Sequence, residues 1–225
     1  MDYKELDMAR YPRREHFEHF MTMENPFVSL TFQVDITDWL RGLKERGCPF
    51  FLSFQYAAVQ AANAVPEFRQ RIRDGAVVEY DFCDPSYIVL LPDGTYRYCN
   101  VNANQPFAAY LAEAKRKQAQ ALRAEHLEEE GDPQSMLFIS CVPWFGYTGL
   151  QTPWPDRRFS VPSLTWGRYA VDRRLCLEDG KPVERERVTL PLTVMANHAL
   201  VDGVHFARFL ENLDRELAEM FAPAQ

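Results

Sequence analysis

The residues best suited to chemistry lie near the carboxyl end of the chain, in the segment NHALVDG over positions 197–203. Imidazole has an unperturbed pKa near neutrality, so a histidine held in a cleft can accept a proton from a substrate hydroxyl. Asp202, four residues after His198, can brace such a site with its carboxylate. The segment therefore predicts general-base chemistry, with His198 as the base.

The same residues also have a purely structural interpretation. An isolated histidine is more often a hydrogen-bonded core residue than a catalytic base, and Asp202-Gly203 fits an ordinary turn before a helix. Average residue usage gives a chance H-x-x-x-D-G match in roughly one chain in fifty of this size. The hexamer alone is suggestive, and the choice depends on its setting.

The elements around His198 are predicted with clear patterns. The run 188–196 is β-rich, and the run 206–221 repeats apolar residues at helical spacing. A strand should therefore end just before His198, and an amphipathic helix should follow Gly203.

The rest of the chain alternates helical and extended patterns. Helices are predicted over 13–20, 38–45, 50–63 and 105–130, and strands over 28–34, 76–80, 87–91 and 136–142. The segment 105–130 is rich in strong helix formers and is expected to be the longest helix, ended by Gly131-Asp132-Pro133. Because no repeat or long Ser/Gly-rich linker interrupts the chain, we expect one domain over 1–225.

Composition excludes several classes of partner. With 25 basic and 32 acidic residues, the net charge of −7 gives no broad basic face for a phosphate backbone, so no nucleic-acid partner is expected. No apolar run reaches the roughly 20 residues of a membrane span, and the first residues lack a secretory layout. We expect a cytoplasmic protein with no membrane partner.

Cysteine usage argues against a metal or disulfide framework. The five cysteines are scattered and never form C-x-x-C. The sequence thus predicts free thiols and no bound metal.

Several motifs share their order and separation with one known family. The segment from Asn197 to Phe209 resembles the H-H-x-x-x-D-G-x-H active-site segment of chloramphenicol acetyltransferases, including His205 and Arg208. Similar family motifs are RREHFE over 13–18, VDIT over 34–37, PEFR over 66–69, DG over 74–75, PW over 143–144 and TWGRY over 165–169. The resemblance covers nearly the whole chain.

This resemblance implies a fold and a reaction. The fold would be an α/β (α+β) two-layer sandwich with a mixed β-sheet, assembled as a homotrimer with active sites at subunit interfaces. The co-substrate would be acetyl-CoA, and the partner a small-molecule hydroxyl acceptor. Acetyl would pass directly to the acceptor hydroxyl with His198 as base, without an acyl-enzyme or a metal.

Roles for further residues follow from the same resemblance. Asp202 and Arg13 would form a pair that holds the turn of His198 in shape. The remaining implied roles are transition-state support through water for Thr165, contact with the CoA adenine for Tyr169, and the acceptor pocket for Phe20 and Val28. As strand residues, Thr165 and Tyr169 could instead simply pack. Trp144, next to a proline, is expected to pack.

The pattern departs from the family at two positions. Gly149 stands where the family has a serine that donates to the oxyanion, and Thr148 is the nearest replacement donor. Losing one such donor typically costs about 100-fold to 1000-fold in turnover. Asn197 replaces the first His of the pair and is expected to matter less.

Three functions remain open from these departures. The first is acetyl transfer to chloramphenicol or a related hydroxyl compound. The second is the same chemistry with a different acceptor or acyl donor, because the segment 20–28 differs from antibiotic-modifying members. The third is non-catalytic small-molecule binding, which the missing hydroxyl at Gly149 would favour.

Overall fold

The computed structural model describes residues 2–127 and 131–222. Its helices are α1 Arg14–Phe20, α2 Thr37–Glu45, α3 Phe50–Asn63, α4 Phe107–Ala121 and α5 Gly203–Glu219, with short 3₁₀ helices at Pro66–Arg69 and Pro133–Ser135. Its strands are β1 Tyr3–Glu5, β2 Phe27–Asp35, β3 Gln70–Arg73, β4 Ala76–Tyr80, β5 Asp84–Leu90, β6 Tyr96–Asn100, β7 Met136–Val142, β8 Ser163–Gly167, β9 Ala170–Glu178 and β10 Lys181–Asn197.

A mixed sheet forms the centre of the molecule. Its strand order is β2-β10-β8-β7-β5-β6, and β9 extends it by pairing with the first half of β10. The pairs β5·β7 and β7·β8 are parallel, whereas β10 runs antiparallel to β2, β8 and β9. A small antiparallel sheet, β1-β4-β3, lies beside it. The predicted α+β fold with a mixed sheet is confirmed.

One face of this sheet carries the core. Along β10, Leu190, Leu192 and Val194 are fully buried in the main apolar cluster, and α3 and α5 contribute buried residues to the same cluster. The Phe54 ring meets Trp166 of β8 edge to face, with centroids 5.1 Å apart. Because successive strand residues point to opposite faces, Thr193 lies on the other face of the sheet. Side chains on the core face are therefore unavailable to a substrate, and those on the opposite face can contribute to a site.

The prediction for α4 is wrong in length. The helix ends at Ala121 rather than at 130, residues 122–127 form turns and coil, and 128–130 lie outside the described residues. With 15 residues, α4 is shorter than α5, which has 17. The predicted helix was longer because residues 122–130 have high helix propensity. In the structure, α4 buries few residues, and the last of them is Ala121. Packing of a buried face, rather than propensity, supplies most of the stability of a helix. In the described residues 122–127 every side chain is exposed, including Leu122 and Leu127, so burial does not support a helix there.

The segment expected to stop that helix has another role. Asp132 caps the 3₁₀ helix Pro133–Ser135, with Oδ1 accepting from the Gln134 amide at 3.0 Å. The residues therefore begin an element rather than end one.

The hairpin of β9 and the first half of β10 was not predicted. All nine residues of β9 are exposed, and Leu175 and Leu177 keep 80% and 76% of their surface. Charged residues stand in consecutive runs, at 172–174 in β9 and at 184–187 in β10, so no apolar period marks the two strands. The strand containing the run 188–196 consequently begins at Lys181.

Two further properties concern the described ranges only. Across 2–127 and 131–222, no helix combines the length and apolar character needed to cross a bilayer. Within the same ranges, no group of three or more His, Cys, Asp or Glu residues is arranged to hold a metal ion.

Candidate active site

His198 follows directly on the end of β10, in the turn that leads to α5. Its amide donates to Pro26 O at 2.6 Å, and its half-buried ring stacks on Phe20 with centroids 4.0 Å and planes 12° apart. The ring nitrogen Nδ1 is shielded from solvent and has no hydrogen-bond partner within the described part of the chain. Nε2 is therefore the nitrogen available to a reactant.

Arg13, which precedes α1, contacts both ends of this turn. Its Nη1 donates to Asp202 Oδ2 in a short ion pair, and its Nη2 donates to His198 O at 3.5 Å. Burial alone would raise the pKa of Asp202, but the hydrogen bond and charge of Arg13 lower that pKa below its ordinary value. Asp202 is thus held as a carboxylate facing Arg13.

Asp202 also begins α5. Its side chain accepts from the Val204 amide, with Oδ1 3.3 Å from the nitrogen, and its own amide donates to His205 Nδ1 at 2.9 Å. This reciprocal arrangement is a capping box, which satisfies amides that a helix start leaves unpaired. Asp202 therefore joins the start of α5 to the turn of His198.

Asn197 contributes more than its sequence position suggested. The side chain is 2% exposed, and its Nδ2 donates to Arg157 O at 3.0 Å and to Phe159 O at 3.1 Å. Its Oδ1 accepts from the Ala199 amide at 3.0 Å. A buried amide at a strand end requires hydrogen-bond partners, and these three contacts supply them. Asn197 joins the loop 155–160 to the turn.

The predicted hydroxyl residue Thr165 lies apart from His198 within the chain. Thr165 of β8 pairs with Thr193 of β10, five residues before His198. At about 3.3 Å per residue, this separates Thr165 from His198 by roughly 16 Å along the strand. Thr193 Oγ1 in turn lies 2.8 Å from Thr31 Oγ1 of β2, so hydroxyls of three adjacent strands lie side by side.

Thr148 and Gly149 lie on the exposed loop after β7. Together with Ser29 and Thr31 they line a cavity of about 620 Å³. A Cβ atom added at Gly149 would have no heavy atom within 4 Å. A serine side chain at position 149 would therefore fit without any rearrangement.

The other predicted site residues are distributed as follows. Val28 pairs with Ala196 and packs against the core, next to the end of β10. The half-buried Tyr169 packs on the Phe50 ring at 5.7 Å. The prediction that Trp144 packs is wrong within the single chain, because its side chain is 61% exposed. The structure thus brings together His198, Phe20, Asp202 and Arg13 and leaves Thr165, Thr148 and Gly149 in a second group.

The chain has relatives in one family of known proteins. A family model described as chloramphenicol acetyltransferase matches residues 1–214. A chloramphenicol acetyltransferase of Escherichia coli is 28% identical over 217 residues, covering 95% of this chain and 93% of the relative. One from Clostridium perfringens is 26% identical over 227 residues, covering 98% and 97%.

Solved structures share the fold. A chloramphenicol acetyltransferase superimposes with a TM-score of 0.76 at 25% identity, covering 96% of this chain and all of that one. A probable dihydrolipoamide acetyltransferase from Listeria monocytogenes gives 0.66 at 16% identity, which reflects a common fold. Fold and relatives define an acyltransferase with a mixed central sheet. Within that class, the chain belongs to the chloramphenicol acetyltransferase family.

Proposed function

We propose that the protein transfers an acetyl group from acetyl-CoA to the hydroxyl of a small-molecule acceptor, with His198 as general base. The observation that carries this proposal is the setting of the His198 ring. Its backbone is fixed by Pro26 O, one ring face is covered by Phe20, and Nδ1 is shielded. A ring held in this way presents Nε2 to a reactant in one direction.

The acetyl group passes directly from the thioester of acetyl-CoA to the acceptor hydroxyl. Nε2 of His198 takes the proton of the acceptor hydroxyl while the oxygen attacks the acetyl carbonyl. The tetrahedral intermediate then expels CoA as a thiolate, which receives the proton back from the imidazolium. No acyl-enzyme forms in this mechanism. The ion pair of Asp202 and Arg13 shapes the turn and does not transfer a proton.

The proposal includes a trimer whose active sites lie between subunits. Support comes from the roughly 16 Å that separates His198 from Thr165 along the sheet, too far for both to act on one reacting carbon within a chain. The exposed Trp144 and Phe145 beside Thr148 and Gly149 give this region an apolar surface suited to a neighbouring copy. In this arrangement, His198 of one subunit faces Thr165, Thr148 and Gly149 of a neighbouring subunit.

A second candidate function is acyl transfer to an acceptor other than chloramphenicol. A cavity beside the segment that precedes β2 supports this candidate. Beside Pro26, a cavity of about 430 Å³ is lined by Glu24, Asn25, Phe27 and Trp154, among others. The Phe27 and Trp154 rings stack at 4.9 Å with planes 13° apart. This volume suits a small molecule, and its mixed polar and aromatic lining favours an acceptor with both characters.

The decisive experiment measures release of the CoA thiol with a thiol-reactive dye. Purified protein receives acetyl-CoA with chloramphenicol, and then with a panel of other hydroxyl compounds and acyl-CoA donors. We expect His198→Ala to reduce release by about 100-fold to 10,000-fold, the usual contribution of a general base. His126→Ala, at an exposed histidine, serves as the matched control. Equal release by the two variants would exclude His198 as the base.

Binding without turnover would identify the non-catalytic alternative. Calorimetry that detects an acceptor but no acetyl-CoA, together with no thiol release for any acceptor, would replace the acetyltransferase proposal. The absence of a side-chain hydroxyl at Gly149 is the feature that favours this outcome.

A further inference from the structure

A second histidine, His205, lies beneath the turn that carries His198. It occupies the first turn of α5, and its side chain is 5% exposed. Nδ1 accepts from the Asp202 amide at 2.9 Å, and Nε2 lies 3.4 Å from Glu67 Oε1. His205 thus connects the start of α5 to the distant 3₁₀ helix Pro66–Arg69.

The hydrogen-bond network assigns the proton on the His205 ring. Because Nδ1 accepts from a backbone amide, a neutral ring carries its proton on Nε2, which faces the Glu67 carboxylate. Burial alone would raise the pKa of Glu67, but the hydrogen bond from His205 and the charge of Arg208 lower that pKa below its ordinary value. An ionised Glu67 in turn keeps the proton on Nε2 and leaves Nδ1 free to accept.

These contacts restrain Asp202 at both of its ends. Its amide is held by His205, and its carboxylate is held by Arg13, which also donates to His198 O. A shift of the Asp202 backbone therefore moves the ion pair and the carbonyl of His198 together. Small displacements of a catalytic group are costly, since about 1 Å of misplacement can reduce turnover by about 100-fold.

We propose that Glu67 and His205 are positioning residues for acetyl transfer. They act through Asp202 and Arg13 on the aim of the His198 ring and touch neither substrate. The inference rests on the proposed function, in which His198 is the base. It predicts that their loss lowers kcat and leaves the KM for acetyl-CoA nearly unchanged.

Two substitutions at His205 separate positioning from bulk. His205→Gln keeps an acceptor for the Asp202 amide, because Gln is a usual partner in a capping box. His205→Leu keeps the volume and removes the acceptor. We expect kcat to fall by about 10-fold to 100-fold in His205→Leu and by less than about threefold in His205→Gln. Equal kcat in the two variants would overturn the proposal.

Substitution of Glu67 tests the same connection from another element. Glu67→Leu should reduce kcat as His205→Leu does, and the double variant should lose little more, because both changes break one chain of contacts. Fully additive losses would overturn the connection. His16→Gln and Glu211→Gln, at exposed positions, are the matched controls for the single-residue changes.

Amide hydrogen exchange supplies a readout that does not need activity. The amides of 198–205 should exchange faster in His205→Leu and Glu67→Leu than in wild type, and at near wild-type rates in His205→Gln. Equal exchange in all variants would overturn the inference. A wild type without any acyl transfer would instead remove the proposed function, and exchange would still decide whether Glu67 and His205 hold the turn.

Discussion

The turn from 197 to 205 and the loop from 143 to 152 carry the two groups of candidate site residues, and they are attached very differently. The turn receives contacts from Arg13, from Pro26 O and from the carbonyls at 157 and 159. The loop is mostly exposed, and these contacts attach it: Tyr147 Oη donates to Thr165 O at 2.5 Å, Leu150 O accepts from Ser29, Phe145 O accepts from the Arg168 amide, and Thr152 Oγ1 lies 3.8 Å from Met195 Sδ. The turn differs chiefly in being buried at 197 and 199–201.

This difference matches the demands of the two tasks. A general base must point one nitrogen at one proton, so errors in its aim cost activity steeply. An oxyanion can instead accept from any suitably placed hydroxyl or amide, and the loop region offers Thr148, Thr31 and Ser29 around one cavity. We therefore expect position 149 to tolerate substitution better than the turn of His198.

The largest expected effect is at Asn197, in the tightly attached region. Asn197→Asp removes the donors to Arg157 O and Phe159 O and places a carboxylate beside them in a site that is 2% exposed. We expect the unfolding free energy to fall by about 3 kcal/mol, because two buried carbonyls lose their donor and a charge is buried beside them. Urea denaturation measures this loss.

Thr152→Val, at a partly buried position of the loop, is the comparison for Asn197→Asp. A loss as large at Thr152 as at Asn197 would show that the two regions are equally constrained. That result would contradict the contrast between turn and loop.

Local patterns in the sequence predicted His198 and Asp202 as site residues, and the family resemblance added Arg13. His198, Asp202 and Arg13 lie in motifs that are continuous along the chain, and the strand and helix around His198 have clear apolar periods, which the structure confirms. The partners of Asn197 and the contact of His205 with Glu67 join segments far apart in sequence. No local pattern can predict such contacts, because they depend on how the elements pack.

Where burial does not select residues, the sequence also failed to indicate structure. The exposed strand β9 contains three consecutive charged residues at 172–174 and has no buried face to reveal it. In the 105–130 segment, strong helix formers predicted a helix that packing supports only as far as Ala121. Helix propensity is a weak prior compared with tertiary contacts.

The next effect concerns the ion pair of Arg13 with Asp202. Arg13→Met should cost about 2 kcal/mol of unfolding free energy, less than the 3 to 5 kcal/mol typical of fully buried pairs, because Asp202 is partly exposed. The pKa of Asp202 is lower in the folded state than in the unfolded state, so the pair stabilises the protein above the unfolded pKa of about 3.9. That stability is lost as pH falls through the folded pKa.

Urea denaturation between about pH 6 and pH 2 tests this direction. Wild type should lose the contribution of the pair on acidification, and Asp202→Asn should lack that part of the pH dependence. An unchanged pH profile in Asp202→Asn would mean that Arg13 does not hold the charge. In the loop region, the same comparison has no counterpart, because Thr148 and Gly149 carry no charge.

The smallest effect is a gain of activity at Gly149, where the loop leaves room. A Cβ atom added there has no heavy atom within 4 Å, so we expect Gly149→Ser to leave the unfolding free energy nearly unchanged. If the missing hydroxyl limits turnover, Gly149→Ser should raise kcat for acetyl transfer by about tenfold, below the 100-fold or more of a preorganised donor. Gly149→Ala adds the same carbon without the hydroxyl and is the matched control.

The outcome at Gly149 decides between two explanations for the loop. A rise in Gly149→Ser but not in Gly149→Ala means that the oxyanion lacks a donor in the natural protein. If neither variant gains activity, a neighbouring hydroxyl already fills that role, and Thr148→Val or Thr31→Val should then lower kcat. Because both threonines line the same cavity as Gly149, only the residue whose hydroxyl reaches the oxyanion should respond.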